Sequence, residues 1–434
     1  MKLKKSVFFT IFLFLILLIK GYFLYTNLSI SDYEGEKIYQ KGDPSHYYMI
    51  AKNIFEFNTY SDDFSNIPNE SATWRPPIWP LVLSTFFYLS QNPFSILLIK
   101  IIFEFIFLTS ILIYFKKKLK IKWFYLSPLL LLYIEPQYLK YSLTFFSESL
   151  SALLILFLSI LFLNLKKEKR FSIYIPILSS IIILCHPVSA FFVASIMGVY
   201  CLINLQYNFK VSILHGLLFV LLSVLWPIRN QTLFNQGFYL TASQGATFSK
   251  GWNEKIISDF TNVEGDLAEE EMNLKYIKTE KKIIPNTIPV LERSKLYKEG
   301  TLNFINSISM TEKLKIILIK IKSNFNPFPE KPKPGFFENL SIVFRIFYLI
   351  LFIQMFKRIF QFKKFNIENL SDKVFLVVLS IFIGQTLMSA YIYTGFRFNA
   401  IYSLTCLFCF ILINKNWLFD KWLFKNKLNS ISLF

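Results

Sequence analysis

Six ionisable side chains stand apart in this chain: Asp43, Arg75, Glu148, His186, Arg229 and Arg397. Each falls at the edge of an apolar run rather than inside a basic cluster. Charge near a hydrocarbon boundary is costly, so it usually has a partner or a task. Asp43, between Gly42 and Pro44, opens a helical pattern with Tyr47, Tyr48, Ile50 and Ala51. An acid at that point can cap the helix or take a proton from a hydroxyl as a general base; spacing leaves both open. Arg75 precedes Pro76 and Pro77. A guanidinium there can hold phosphate oxygens in a fork, or anchor at an interface with Trp74 and Trp79 in an aromatic belt. Glu148 lies among Ser147, Ser149 and Ser151 at the start of an apolar run, where an acid also gains about 0.3–1 kcal/mol from the helix dipole.

Three further positions belong to the same set. Arg229 and Asn230 follow Trp226 and Pro227, which are expected to end a helix. The loop beyond contains Gly245 and Gly251, which suggest turns able to approach a ligand. His186 precedes Pro187 between two apolar runs and reads as a ligand contact or as a packed histidine. Arg397 opens the last apolar run. Cys406 and Cys409 have redox-motif spacing, but both sit in an apolar helix, so packing is expected. Tyr391 and Tyr393 read as interface residues.

The elements that must hold these residues follow from composition. The chain has 434 residues, 54% of them hydrophobic and only 17% charged, with a mean hydropathy of +0.44. A soluble domain carries about 25% charged residues. The apolar runs therefore predict an all-α polytopic membrane protein. The net charge of +19 is not a nucleic-acid footprint. Six short clusters, at 2–5, 116–122, 166–170, Lys210, 357–364 and 415–427, hold 21 cations against two acids, Glu168 and Asp420. That imbalance accounts for the whole excess, whereas residues 29–93 carry eight acids and four bases. The pattern is positive-inside asymmetry, and nucleic acid is excluded as a partner.

Alternation of these clusters gives about 10 transmembrane helices with both termini inside. The spans fall near 7–26, 94–115, 123–136, 145–164, 171–187, 189–206, 211–228, 339–356, 372–392 and 399–414. Residues 78–89 are too few to cross and read as an outer interfacial helix. Residues 231–330 hold 13 bases and 12 acids. There, 265–282 and 293–325 have helical spacing, the second with one apolar stripe, Leu302, Ile305, Ile308, Leu314, Ile317 and Ile321. Pro327, Pro329, Pro332 and Pro334 close it. Three units result: 1–228, an N-terminal transmembrane module with a first outer loop at 29–93; 229–335, an outer segment with interfacial helices; and 336–434, the C-terminal transmembrane helices.

In order and spacing, these segments resemble the bacterial GT-C glycosyltransferases that use polyprenyl-phosphate sugars, the protein O-mannosyltransferase-like and aminoarabinose transferase-like families (glycosyltransferase family 39 and its neighbours). The residues that carry the resemblance are Gly42, Asp43, Tyr47, Ala51 and Asn53; Arg75, Pro76, Pro77 and Pro80; Glu148; Pro227, Arg229 and Asn230; Gly245, Gly251 and Asn253; and Arg397. The resemblance covers most of the chain. It implies a GT-C fold with Asp43 as the catalytic carboxylate, acting as base on an acceptor hydroxyl, and Glu148 as a second acid. It places Arg75 near the donor phosphate, with Arg229, Asn230, Arg397, Tyr47 and His186 as further substrate contacts.

Two departures stand out. Pro44 follows Asp43 where many members have a second acid, which argues against a metal-binding pair at that point; no cofactor is expected, and a divalent cation stays open as the alternative. His186-Pro187 stands where the family often has Arg-Pro. The implied partners are a polyprenyl-phosphate sugar donor, a glycan, lipid or protein acceptor, and membrane lipid. The implied location is the bacterial cytoplasmic membrane, with the active site on its outer face. Three other readings compete: a transporter or flippase of lipid-linked sugars, a GT-C ligase or polymerase with a diphosphate-linked donor, and an inactive relative. Charges at one rim, no repeated halves and a large outer segment argue against the transporter. The presence of Asp43 argues against the inactive relative.

Overall fold

A computed structural model of the chain describes residues 14–22, 43–63, 66–119, 123–165, 172–205, 208–235, 237, 239–253, 256, 288–328, 336–360, 369–392 and 396–414. Among these, every regular element is a helix. After a helical stretch over 14–22 come α1 (Asp43–Phe57), α2 (Ile78–Phe86), α3 (Pro93–Leu119), a 3-10 stretch (Trp123–Ile134), α4 (Pro136–Ser142), α5 (Glu148–Leu163), α6 (Tyr174–Cys185) and α7 (Ala190–Leu205). Then follow α8 (Phe209–Phe234), α9 (Gln244–Lys250), α10 (Val290–Ser307), α11 (Met310–Phe325), α12 (Phe336–Phe360), α13 (Leu370–Tyr391) and α14 (Phe396–Ile413).

Among the described residues, five stretches are long and apolar enough to cross a membrane: Pro93–Lys118, Pro187–Leu205, Phe209–Phe234, Asn339–Phe360 and Leu370–Tyr391. Three shorter helices, α5, α6 and α14, are also apolar. The chain is a helical, multi-pass membrane protein. Its centre is α5, where every side chain except Phe157 and Leu161 is buried. α14 lies against α5, and α13 against α7. Gly384 permits the second contact: a Cβ there would stand 2.7 Å from the Phe192 Cα, and only glycine allows backbones so close. α8 packs on α6 and α7 but leaves Leu214, Leu217, Leu221 and Leu225 exposed, a face suited to lipid.

Four expectations from sequence are corrected by the structure. Pro227 does not end a helix: α8 continues through Arg229 and Asn230 and stops at Asn235, whose left-handed φ of 47° caps it. Proline is tolerated inside apolar helices where the freed carbonyl is otherwise satisfied. The 293–325 stripe is two helices, because Ser309 and Glu312 form a reciprocal capping box that starts α11 afresh. Residues 123–134 are 3-10 rather than α, with Pro128 in the middle; at about 2 Å rise per residue, 12 residues then reach roughly 24 Å. Trp79 is not an interface residue; it is fully buried and donates from Nε1 to the Phe145 carbonyl at 2.7 Å. The expected helix at 265–282, Tyr393, the basic clusters at 2–5, 166–170 and 415–427 and most of the first span lie outside the described residues.

Candidate active site

The site is built on a turn between α4 and α5. That turn is held by an ion pair sealed inside α3. Lys100 and Glu104 are one helical turn apart, both fully buried, with 2.9 Å between Nζ and Oε1. Lys100 also donates to the carbonyls of Tyr141 and Ser142, each at 3.1 Å, and to Ser149 Oγ at 2.9 Å. Ser149 in turn donates to Glu104 at 2.6 Å. The Trp79 bond to Phe145 fixes the turn from the other side. Its last residue and the first of α5, Ser147 and Glu148, are thereby placed with no solvent around them.

The first turn of α1 comes down on this floor. Asp43 and Tyr47 are four residues apart and share a helix face. The Tyr47 hydroxyl meets Ser147 Oγ at 3.0 Å. Arg75 is extended, φ −112° and ψ 137°, as a residue before proline must be, and this turns its guanidinium back onto α1. There it pairs with Asp43 and lies over the Tyr47 ring, 5.2 Å from its centroid. Tyr60 Oη holds the Arg75 carbonyl at 2.9 Å. His186 is likewise extended before a proline. Its Nε2 lies 3.6 Å from Glu148 Oε1, and its ring stands edge-on to Phe398.

These groups enclose a cleft of about 280 Å³, near the lower end of small-ligand sites, about 300 Å³. Its lining includes Asp43, Tyr47, Arg75 and His186, and also Gln244, Lys250, Tyr391 and Ile392. A carboxylate held by a guanidinium is an acceptor, the form a base needs. Burial pushes the Tyr47 phenol well up, so it remains a hydroxyl donor. Burial, reinforced by Arg75, pushes the neighbouring His46 down. The cleft thus combines a carboxylate, two cations and aromatic faces.

Of the residues singled out from sequence, Asp43, Tyr47, Arg75 and His186 line one cleft, and Glu148 stands behind His186. Arg229 and Asn230 do not line it. The Arg229 guanidinium lies over the rings of Trp226 and Tyr60, 4.5 and 5.4 Å away, and donates to Asn230 Oδ1 at 3.0 Å. Both brace the support beneath Tyr60. Arg397 is in the first turn of α14, next to cleft residue Phe398, and its side chain lies outside the described residues. Asn53 is a strut, donating to the Ser61 carbonyl at 2.8 Å. Gly245 serves packing within α9: a Cβ there would stand 1.9 Å from the Ser294 carbonyl oxygen of α10.

Sequence reasoning missed Lys250 and the polar stretch before it, because nothing in its spacing separates it from a solvated loop. It also missed Lys100 and Glu104, for which a signal existed: opposite charges at i and i+4 inside an apolar run. Among the described residues, no cluster of three or more His, Cys, Asp or Glu is placed to hold a metal ion. The chain matches no protein-family model, no curated protein and no solved structure.

Proposed function

We propose that this protein is an integral-membrane glycosyltransferase of GT-C type with about ten spans. It moves a sugar from a polyprenyl-phosphate donor to a hydroxyl on a glycan, lipid or protein at the outer face of the cytoplasmic membrane. The observation that carries the reading is the convergence of Asp43, Tyr47, Arg75 and His186, from three distant segments, on one cleft of a membrane-embedded helical fold. The sequence resemblance places its catalytic acid and its basic residue at two of those four positions. Asp43 takes the proton from the acceptor hydroxyl as that oxygen forms its bond to the anomeric carbon. The bond from that carbon to the phosphate oxygen breaks, and the lipid phosphate leaves with the electron pair. Arg75 and Lys250, both lining the cleft, offset the charge that develops.

The test uses protein in lipid vesicles with radiolabelled polyprenyl-phosphate sugars and envelope acceptor. Label should reach the acceptor. Asp43→Asn should abolish transfer with folding intact, and Arg75→Ala should weaken it by at least about tenfold, as one charge-assisted contact of roughly 1.5–3 kcal/mol predicts. Passage of lipid-linked sugar across sealed vesicles without donor consumption would replace this reading with transport.

A further inference from the structure

One wall of the cleft is made from helix ends: the last turn of α9, running into Gly251 and Trp252, and the last turn of α13, running into Ile392. Helix ends leave carbonyls without helical partners, and an apolar environment cannot hydrate them. Here one side chain takes three of them. Lys320, on the inward face of α11, is fully buried. Its Nζ donates to the carbonyls of Gly251 at 2.9 Å, Ala390 at 3.1 Å and Ile392 at 3.2 Å. It also lies 4.4 Å from the centroid of the Trp252 ring, whose Nε1 donates to the Tyr391 carbonyl at 3.1 Å. An ammonium has three donors, and all three are used. The cation sits at the negative ends of two helices.

The surroundings separate this contact from ordinary packing. Phe248 stacks on Tyr391 at 5.0 Å, and Phe248, Trp252 and Ile316 of α11 form a small apolar core of their own. Lys320 is a polar tie through that core, beside the Trp252 bond to Tyr391. The opposite face of α11 exposes Met310, Leu314 and Leu318, an apolar ridge suited to a membrane surface. Lys320 therefore joins the helix that faces lipid to the residues that face substrate.

We propose that Lys320 is a positioning residue: it pins the ends of α9 and α13 to α11 and so fixes Lys250, Tyr391 and Ile392 in the cleft. The consequence for catalysis rests on the glycosyltransferase reading; the pinning itself does not. Without the ammonium, the carbonyls of Gly251, Ala390 and Ile392 lose the donor they share, and both helix ends come free of α11.

Amide hydrogen exchange of the full chain in lipid nanodiscs at a single pH tests this. Lys320→Met should raise exchange in both 250–252 and 388–392 at least about tenfold. Lys320→Arg, which keeps a charge but cannot place three donors at one point, should raise it several-fold in both segments, and it serves where the Met variant does not fold. Exchange unchanged in both variants, or raised in one segment alone, overturns the proposal. With donor and acceptor in hand, Lys320→Met should raise KM several-fold more than it lowers kcat. Absence of any transfer activity would remove that last readout and leave the exchange result standing.

Discussion

Removing Lys100 alone should be far more damaging than removing Lys100 and Glu104 together. Lys100→Met leaves the Glu104 carboxylate fully buried without its cation, and deprives the Tyr141 and Ser142 carbonyls and Ser149 of a donor. Breaking one side of a buried pair costs about 3–5 kcal/mol, because a charge stays in a medium that cannot solvate it. Replacing both sides with apolar groups of similar volume takes that charge away. What remains is two carbonyls and one hydroxyl with weaker partners; at about 0.6 kcal/mol for a typical hydrogen bond in a membrane protein, that is roughly 2 kcal/mol. Lys100→Met/Glu104→Met should therefore be more stable than Lys100→Met by about 1–3 kcal/mol.

The assay is reversible unfolding in mixed micelles, followed by tryptophan fluorescence, on the two single variants and the double variant. The cycle should give a coupling of at least about 2 kcal/mol, well outside the 0.3–0.5 kcal/mol expected of independent sites. Additive losses would refute the argument that the pair acts as one unit. A Lys100→Met variant within about 1 kcal/mol of the parent would refute the burial argument itself.

Four other outcomes follow. Gly384→Ala should destabilise the α7–α13 contact by about 1–3 kcal/mol in the same unfolding assay, since its Cβ would meet Phe192 backbone at 2.7–2.8 Å. Trp79→Phe keeps most of the ring and loses the bond to the Phe145 carbonyl; thermal unfolding should show a loss of about 1 kcal/mol. His186→Gln should reduce transfer more than it reduces stability, because His186 lines the cleft against Glu148; equal losses would assign it to packing alone. Glu312 is held below the ordinary carboxylate range by its backbone and side-chain bonds to Ser309. Its cap is thus present above the ordinary range and lost as the pH falls below it, so amides at 310–313 should exchange faster on acidification through pH 4 when measured against a Glu312→Gln control.

Much of the fold was legible because span length and charge asymmetry are strong signals. Helices at 93–119, 336–360 and 370–391 follow directly from apolar runs with basic ends. The failures share a cause. Pro227 and the 293–325 stripe were read from local rules, and tertiary context overrode one while a four-residue cap decided the other. At the site, Asp43, Arg75 and His186 were visible because turns and prolines flank them. Arg229 carried a similar signal and proved to be a stacked brace, since a cation beside tryptophan and tyrosine can bind a ring as readily as a phosphate. Lys320 was invisible: it is one of four lysines in LKIILIKIK and its neighbours, and only packing distinguishes the one that turns inward.

That last case points to a device used more than once. Lys100 takes the carbonyls that end α4, Lys320 those that end α9 and α13, and Lys373 the carbonyls of Leu163, at 3.0 Å, and Leu165 where α5 ends. Arg345 does the same for α11 through the Asn324 carbonyl at 3.1 Å. A soluble protein leaves such ends to water or to glycine caps. This chain has 13 glycines in 434 residues, and several of its described helices end against side chains of other helices. An ammonium on a flexible stem supplies up to three donors from a neighbouring element, and its charge suits the negative end of the helix. Each such cap also ties two elements that are far apart in sequence. The cleft is bounded by two of them, Lys100 beneath the floor and Lys320 behind the wall, so its lining groups are held by cations that do not themselves line it.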